Sequence, residues 1–313
     1  MLTEFNSLNK LEKALPDEAS CVAYFRDLRW PKGVTCVQGC ADAKVYHLAN
    51  GAFKCGACLS KFSVRNGTIF EDSKLPLRTW FKCIFLMTSN PKGVSSHELH
   101  RLIGITQKSA WFVVQRVREL TIALGIQPAM TGTVEVDEMF IGGAEKWKHS
   151  SKKVKGSQGA GSYKTKKAVL GLISHDGELR IERVRSGDIS TSKRHVRKHV
   201  APGAAVHTDE AVHYTWMQDY YAHESVNHKL GQYVGETGAT TNRIEGAFGH
   251  FKRAVHGVYH QLSDEHIDRY LAFFAARWNR KEMTAGERTE ALLKVCAGRR
   301  LTYARLTRKE SIQ

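Results

Sequence analysis

Four of the seven cysteines fall in two closely spaced pairs, Cys36 with Cys40 and Cys55 with Cys58, and nothing else in the 313-residue chain limits its folding as much. The N-terminus, MLTEFNSLNKLEKALPDEAS, lacks the basic stretch and apolar core of an export signal. In such a chain, paired cysteines at this spacing are metal ligands more often than disulfides. Between the pairs runs AKVYHLANGAFK, two short alternating segments that meet at Asn50-Gly51, a strong hairpin signal. Two thiolate knuckles around a hairpin are the plan of a zinc ribbon, so one structural Zn²⁺ is expected on Cys36, Cys40, Cys55 and Cys58. Cys21, Cys83 and Cys296 stand alone, and Cys83 in WFKCIFLM reads as a small buried hydrophobe.

The rest of the chain carries a strong charge bias. Forty-seven basic against 31 acidic residues give a net charge of +16. This points to a polyanionic partner, with nucleic acid ahead of a membrane surface because no basic amphipathic anchor is evident. No apolar run approaches the roughly 18 residues of a spanning helix, so no membrane partner is expected. A hydrophobic share of 42% excludes wholesale disorder.

Periodicity divides the chain further. Leu8, Leu11 and Leu15 predict a short N-terminal helix over residues 1–20, followed by the ribbon region 21–74. From 75 to 126 the pattern is helical. LRTWFKCIFLMTSN reads as a buried helix; then SSHELHRLIG and ITQKSAWFVVQRVREL, linked by Gly104-Ile105-Thr106, have helix-turn-helix spacing. Ser95 or Ser96 and Thr106 are the expected caps. In the second helix Ala110, Val113, Val114 and Val117 face inward. Gln107, Lys108, Gln115, Arg116 and Arg118 remain for an outer face that can enter a groove or touch phosphates, although a plain helical hairpin reads much the same.

After Gly125 the period changes to two. TVEVDEMFIGG sets Thr133, Glu135 and Asp137 on one face of a strand and Val134 and Val136 on the other. Residues 144–167 hold eight lysines against one acid, among them Lys152, Lys153 and Lys155, and read as a flexible basic loop. Beyond it come two strands, a basic helix, a short strand ending at Asp209, a helix EAVHYTWMQDYY, a strand in HESVNH and two further helices. The order suits an α/β domain over 127–285, a mixed sheet with flanking helices, followed by a basic tail over 286–313 that is expected to fray from Arg299.

Three carboxylates stand at strand ends or helix starts: Asp137, Asp209 and Glu245. Meeting there, they form an oxygen-rich cage suited to Mg²⁺. Lys252 lies two helical turns after Glu245 on the same face, where it can hold a phosphate. Each acid also has a plainer reading: Asp209 as the N-cap of a helix starting at Glu210, and Asn242 with Glu245 as a capping box.

VEVDEMFIGG, HTDEAVHY, VNH, TNRIEGAFGHFKR, GVYH and DRYLAFFAARWN, in that order, resemble the catalytic domain of bacterial DDE-type insertion-sequence transposases. The closest group is the one named after insertion sequence 1595, whose members are similar in carrying an N-terminal zinc ribbon. FSVRNGTIFEDSKLPLRTWF and KGVSSHELHRLIGITQKSAW match too, so the resemblance spans roughly residues 20–282. It implies a ribonuclease-H-like fold and a Mg²⁺-dependent enzyme, with two catalytic ions, that cuts and joins transposon ends in the bacterial cytoplasm. The implied partner is double-stranded DNA, both terminal inverted repeats and target, bound by a homodimer or higher oligomer. By motif, Asp137 and Asp209 are the first two acids, and TNRIEG offers both Asn242 and Glu245 for the third. A catalytically dead DNA-binding regulator and a nuclease without joining activity are the rival readings.

Overall fold

The ribbon forms around aromatic side chains as well as cysteines. In the computed structural model, which describes residues 5–125, 127–143, 148–153, 166–184, 189–209, 212–226 and 239–307, the expected hairpin is β1 (Val45–His47) with β2 (Phe53–Cys55). Gly51 sits at the turn with φ +76°, and the Asn50 side chain accepts the Ala52 N–H at 3.1 Å. A third strand that the pattern did not announce, β3 (Lys61–Phe62), pairs antiparallel with β2. Phe53 and Phe62 are buried on one side of this small sheet, and Trp30 packs edge-on against both, with ring centroids 5.7 and 6.2 Å away.

Trp30 closes α2 (Glu18–Arg29), which follows α1 (Leu8–Ala14) and opens with a capping box between Asp17 and Ser20. Next comes α3 (Leu77–Ser89), buried nearly all round as its composition predicts. The Glu18 carboxylate accepts the N–H groups of Leu77 and Arg78 at 2.8 and 2.9 Å, satisfying two orphan donors of α3 from another helix. The helix-turn-helix pair is α4 (Ser96–Ile103) and α5 (Gln107–Ala123), capped by Ser95 and Thr106 and joined through Gly104 at φ +78°.

Residues 1–124 and 280–313 form one unit, and residues 125–279 the other. As far as Thr307, where the described residues end, the C-terminal segment is therefore packed rather than frayed. Helix α9 (Ala285–Lys294) packs on α3, with Thr289 and Thr88 hydroxyls 3.0 Å apart, and Cys296, Leu301 and Leu306 are buried. A short α10 (Tyr303–Thr307) ends the described chain. The apolar residues spaced through this basic stretch gain more from burial than its charges lose.

The second unit is a five-stranded mixed sheet of order β6-β5-β4-β7-β8, made of β4 (Thr133–Ile141), β5 (Lys167–Ser174), β6 (Leu179–Val184), β7 (Ala205–Asp209) and β8 (Ala222–Val226). The first three strands run antiparallel, and β7 and β8 join parallel to β4. This is the ribonuclease-H-like arrangement. Both faces are covered. Val134, Val136, Leu170 and Val206 pack with α6 (Ile189–His199) and with Tyr214, Trp216 and Met217. Met139, Val169 and Ile173 pack under α7 (Asn242–Ala254) and α8 (Ile267–Trp278). The helix expected in EAVHYTWMQDYY is a 3₁₀ segment over Val212–Asp219. Among the described residues no helix is long and apolar enough to cross a membrane.

Candidate active site and metal centre

The four cysteine sulfurs all lie within 4.8 Å of one another, and Cys36 Sγ and Cys58 Sγ are 3.7 Å apart. Ligands at ~2.3 Å in a tetrahedron stand about 3.8 Å from each other, so the cage fits Zn²⁺. The wide first knuckle closes because Gly39, at φ +81°, turns its N–H onto the Cys36 carbonyl at 3.1 Å. The Ser60 hydroxyl, 2.9 Å from Cys58 Sγ, pulls that thiol down to about 6, while Cys58 and Cys36 push Cys40 up to about 12. The Ser60 hydroxyl thus favours, at Cys58, the thiolate form that binds metal.

The second set of candidates comes together on the larger sheet. The parallel register of β4 and β7 pairs Thr133 with Ala205, Val134 with Val206 and Glu135 with His207. Two residues further along each strand stand Asp137 and Asp209, on the same face as Glu135 and His207. Glu245 lies in the first turn of α7, and the Thr241 hydroxyl donates to its Oε1 at 3.1 Å. Burial pushes the Asp137 carboxyl up to about 7, and the charges of Asp209, Glu138 and Glu245 add to the rise. The Glu138 N–H, 2.7 Å from Asp137 Oδ1, acts against it. The three acids thus share one electrostatic neighbourhood. They do not close into a cluster as tight as the cysteines, which are the one such group among the described residues.

Asn242 is placed differently from its expected role as N-cap. It is the first residue of α7, exposed, while Thr241 occupies the cap position without a side-chain cap bond. The capping box of Asn242 with Glu245 is absent because acceptors outside the helix already hold its first N–H groups. Thr240 Oγ1 takes that of Asn242 at 3.0 Å, and the Glu135 carboxylate takes those of Arg243 and Ile244. Sequence alternation put Glu135 on the Asp137 face but gave no sign of this contact. Lys252 is exposed on α7.

Of the other expected DNA contacts, Lys108 is exposed in the first turn of α5. Arg116 is not available. It is 3% exposed, donates to the carbonyls of Leu301 at 2.9 Å, Glu71 at 3.0 Å and Ile69, and stacks on Phe112. Gln115 and Arg118 are buried too, so the outer face of α5 is limited to its N-terminal turns. Lys153 is exposed; Lys155 and the Lys152 side chain lie outside the described residues.

Two comparisons define the class. Residues 129–279 match the ISXO2-like transposase domain, and residues 16–60 match the transposase zinc-ribbon domain. The chain thus carries both the transposase-domain and the zinc-ribbon signatures of the insertion sequence 1595 group that its motifs resemble. A relative from Halobacterium salinarum, described as an uncharacterized protein in transposable element ISH50, is 24% identical over 233 residues, 71% of this chain and 78% of the relative. No solved structure gives a significant match.

Proposed function

We propose that the chain binds transposon terminal repeats and catalyses Mg²⁺-dependent cleavage and transfer of DNA strands. The observation that carries this reading is the placement of Asp137, Asp209 and Glu245. β4 and β7 pair in parallel through Glu135 and His207, each two residues before an aspartate, and the charges of Asp209 and of Glu245 in the first turn of α7 are both felt at Asp137. These hard oxygen donors fit Mg²⁺. When bound, the ions supply the charge that activates an attacking water or 3′ hydroxyl and offsets the charge developing on the leaving 3′ oxygen. Glu245 is the third ligand in this account rather than Asn242, which brings no charge.

Lys252, two turns along α7, holds a backbone phosphate beside the carboxylates. In hydrolysis an oxygen of water forms the new bond to phosphorus, the P–O3′ bond breaks, and the 3′ oxygen leaves as a hydroxyl. In joining, that 3′ hydroxyl attacks a target phosphorus and displaces another 3′ oxygen. The ribbon and the first turn of α5, with Lys108, contact the repeat, and the lysines of the 144–167 segment add non-specific attraction. A homodimer or higher oligomer brings two ends together, in the cytoplasm where bacterial DNA lies.

The test is a strand-transfer assay with pre-cut terminal ends and a supercoiled target plasmid. Joined product supports the reading. Binding without cleavage would make the chain a regulator, and cleavage without joining a nuclease.

A further inference from the structure

Glu135 is 4% exposed, yet it carries a carboxylate beside two candidate ligand carboxylates. Its Oε2 accepts the N–H of Arg243 at 2.9 Å and of Ile244 at 3.0 Å, the second and third helical positions of α7. An N-cap side chain normally serves those donors, and Thr241 does not. On the neighbouring strand His207, the register partner of Glu135, accepts the Thr240 N–H on Nδ1 at 3.4 Å. Two adjacent sheet residues thus hold the backbone at the entry to α7, and Glu245 follows directly.

The arrangement is costly. Burial disfavours the charged form of Glu135, and the charge of Glu245 adds a smaller penalty, against which the two N–H groups and the Arg243 charge act. A serine or aspartate placed locally as N-cap would serve the same N–H groups without burying a carboxylate here. What the strand-borne carboxylate adds is registry, because it ties the helix that carries Glu245 to the strand that carries Asp137.

We propose that Glu135, seconded by His207, is a positioning residue: its grip on the first turn of α7 sets where Glu245 stands relative to Asp137 and Asp209. The proposal rests on the reading of these three as the metal-binding acids. Glu135→Gln keeps volume and one acceptor but loses the charge-assisted pair of bonds. Glu135→Asp keeps the charge and shortens the reach by one methylene.

The experiment uses the full chain with its ribbon zinc-loaded and Mn²⁺ as the probe. Calorimetry measures Mn²⁺ affinity, amide exchange reads protection at Arg243 and Ile244, and strand transfer gives kcat and KM. Both variants are expected to lose amide protection at those two positions, to bind Mn²⁺ five- to tenfold more weakly, and to lose at least tenfold in kcat with KM for DNA ends unchanged. If one variant fails to fold, the other carries the test. Lost protection with Mn²⁺ affinity and kcat within twofold of the wild type would make Glu135 a structural cap only and overturn the proposal. Unchanged protection in both variants would overturn it too. A wild-type chain that binds no Mn²⁺ would overturn the metal-site reading itself, and this proposal with it.

Discussion

Asp137 on β4 faces Gly171 across the antiparallel pairing with β5, and the missing side chain of Gly171 is what lets α7 lie close to the sheet at that point. A Cβ at Gly171 would stand 2.6 Å from the Phe248 ring and 2.7 Å from Ile244 Cδ1, both on α7 and both buried. Its role is space rather than backbone freedom, and the helix it admits carries Glu245.

Gly171→Ala is therefore expected to cost about 1–3 kcal/mol through overpacking and to lower strand transfer more than DNA binding. Thermal unfolding and a joining assay on the same preparation check this. Unchanged stability would mean that the helix has room to shift.

For the ribbon, Cys55→Ser is expected to abolish stoichiometric zinc and to open residues 30–65 to proteolysis, while the unit of residues 125–279 stays folded. A segment this small has too little core to fold without its metal. Elemental analysis of protein purified without chelator, with limited proteolysis, decides it. A wild-type chain containing no zinc would end this account of the cysteines.

The two basic residues proposed from α5 part company. Lys108→Ala is expected to weaken end binding and reduce the salt slope by about 1. Arg116→Ala is expected to destabilise its unit by ~2–4 kcal/mol by leaving buried carbonyls unpaired. Binding titrations across salt concentrations, beside denaturant unfolding, separate the two effects.

A pH effect follows from Glu182. Burial raises its carboxyl, but hydrogen bonds from His199, Lys198 and His195 outweigh burial and hold it well below its usual 4.5. His195 Nδ1 is 2.8 Å and His199 Nε2 2.9 Å from its oxygens. A depressed folded-state pKa gives stability that is present above the unfolded value and lost as pH falls toward the folded one. Glu182→Gln is thus expected to cost ~1–2 kcal/mol near pH 7, with the gap to wild type closing below about pH 4. Paired unfolding curves over pH 3–8 test this, and a gap independent of pH would contradict it.

The sequence made some of these features legible and hid others for physical reasons. The knuckle spacing, the Asn50-Gly51 turn and the caps at Ser95 and Thr106 are local, and local chemistry decides them. The alternation in TVEVDEMFIGG placed Glu135 and Asp137 on one face for the same reason. Arg116 was misplaced because a helical wheel shows only one side of a contact; the carbonyl of Leu301 that covers it comes from 185 residues away. The same blindness made the C-terminal segment look frayed. The cap of α7 was assigned to Asn242 because a carboxylate on a distant strand leaves no mark at the helix start.

The central claim is that Glu245 completes the acidic site with Asp137 and Asp209, and joining of pre-cut ends at saturating Mg²⁺ by purified Glu245→Gln and Asn242→Ala tests it most directly. Since Asn242 is exposed and caps nothing, Asn242→Ala should stay within ~0.5 kcal/mol of wild type in stability and keep most of its joining activity. Glu245→Gln should bind ends normally and join none. Near-normal joining by Glu245→Gln, with none by a folded Asn242→Ala, would contradict the account and give the ligand role to Asn242.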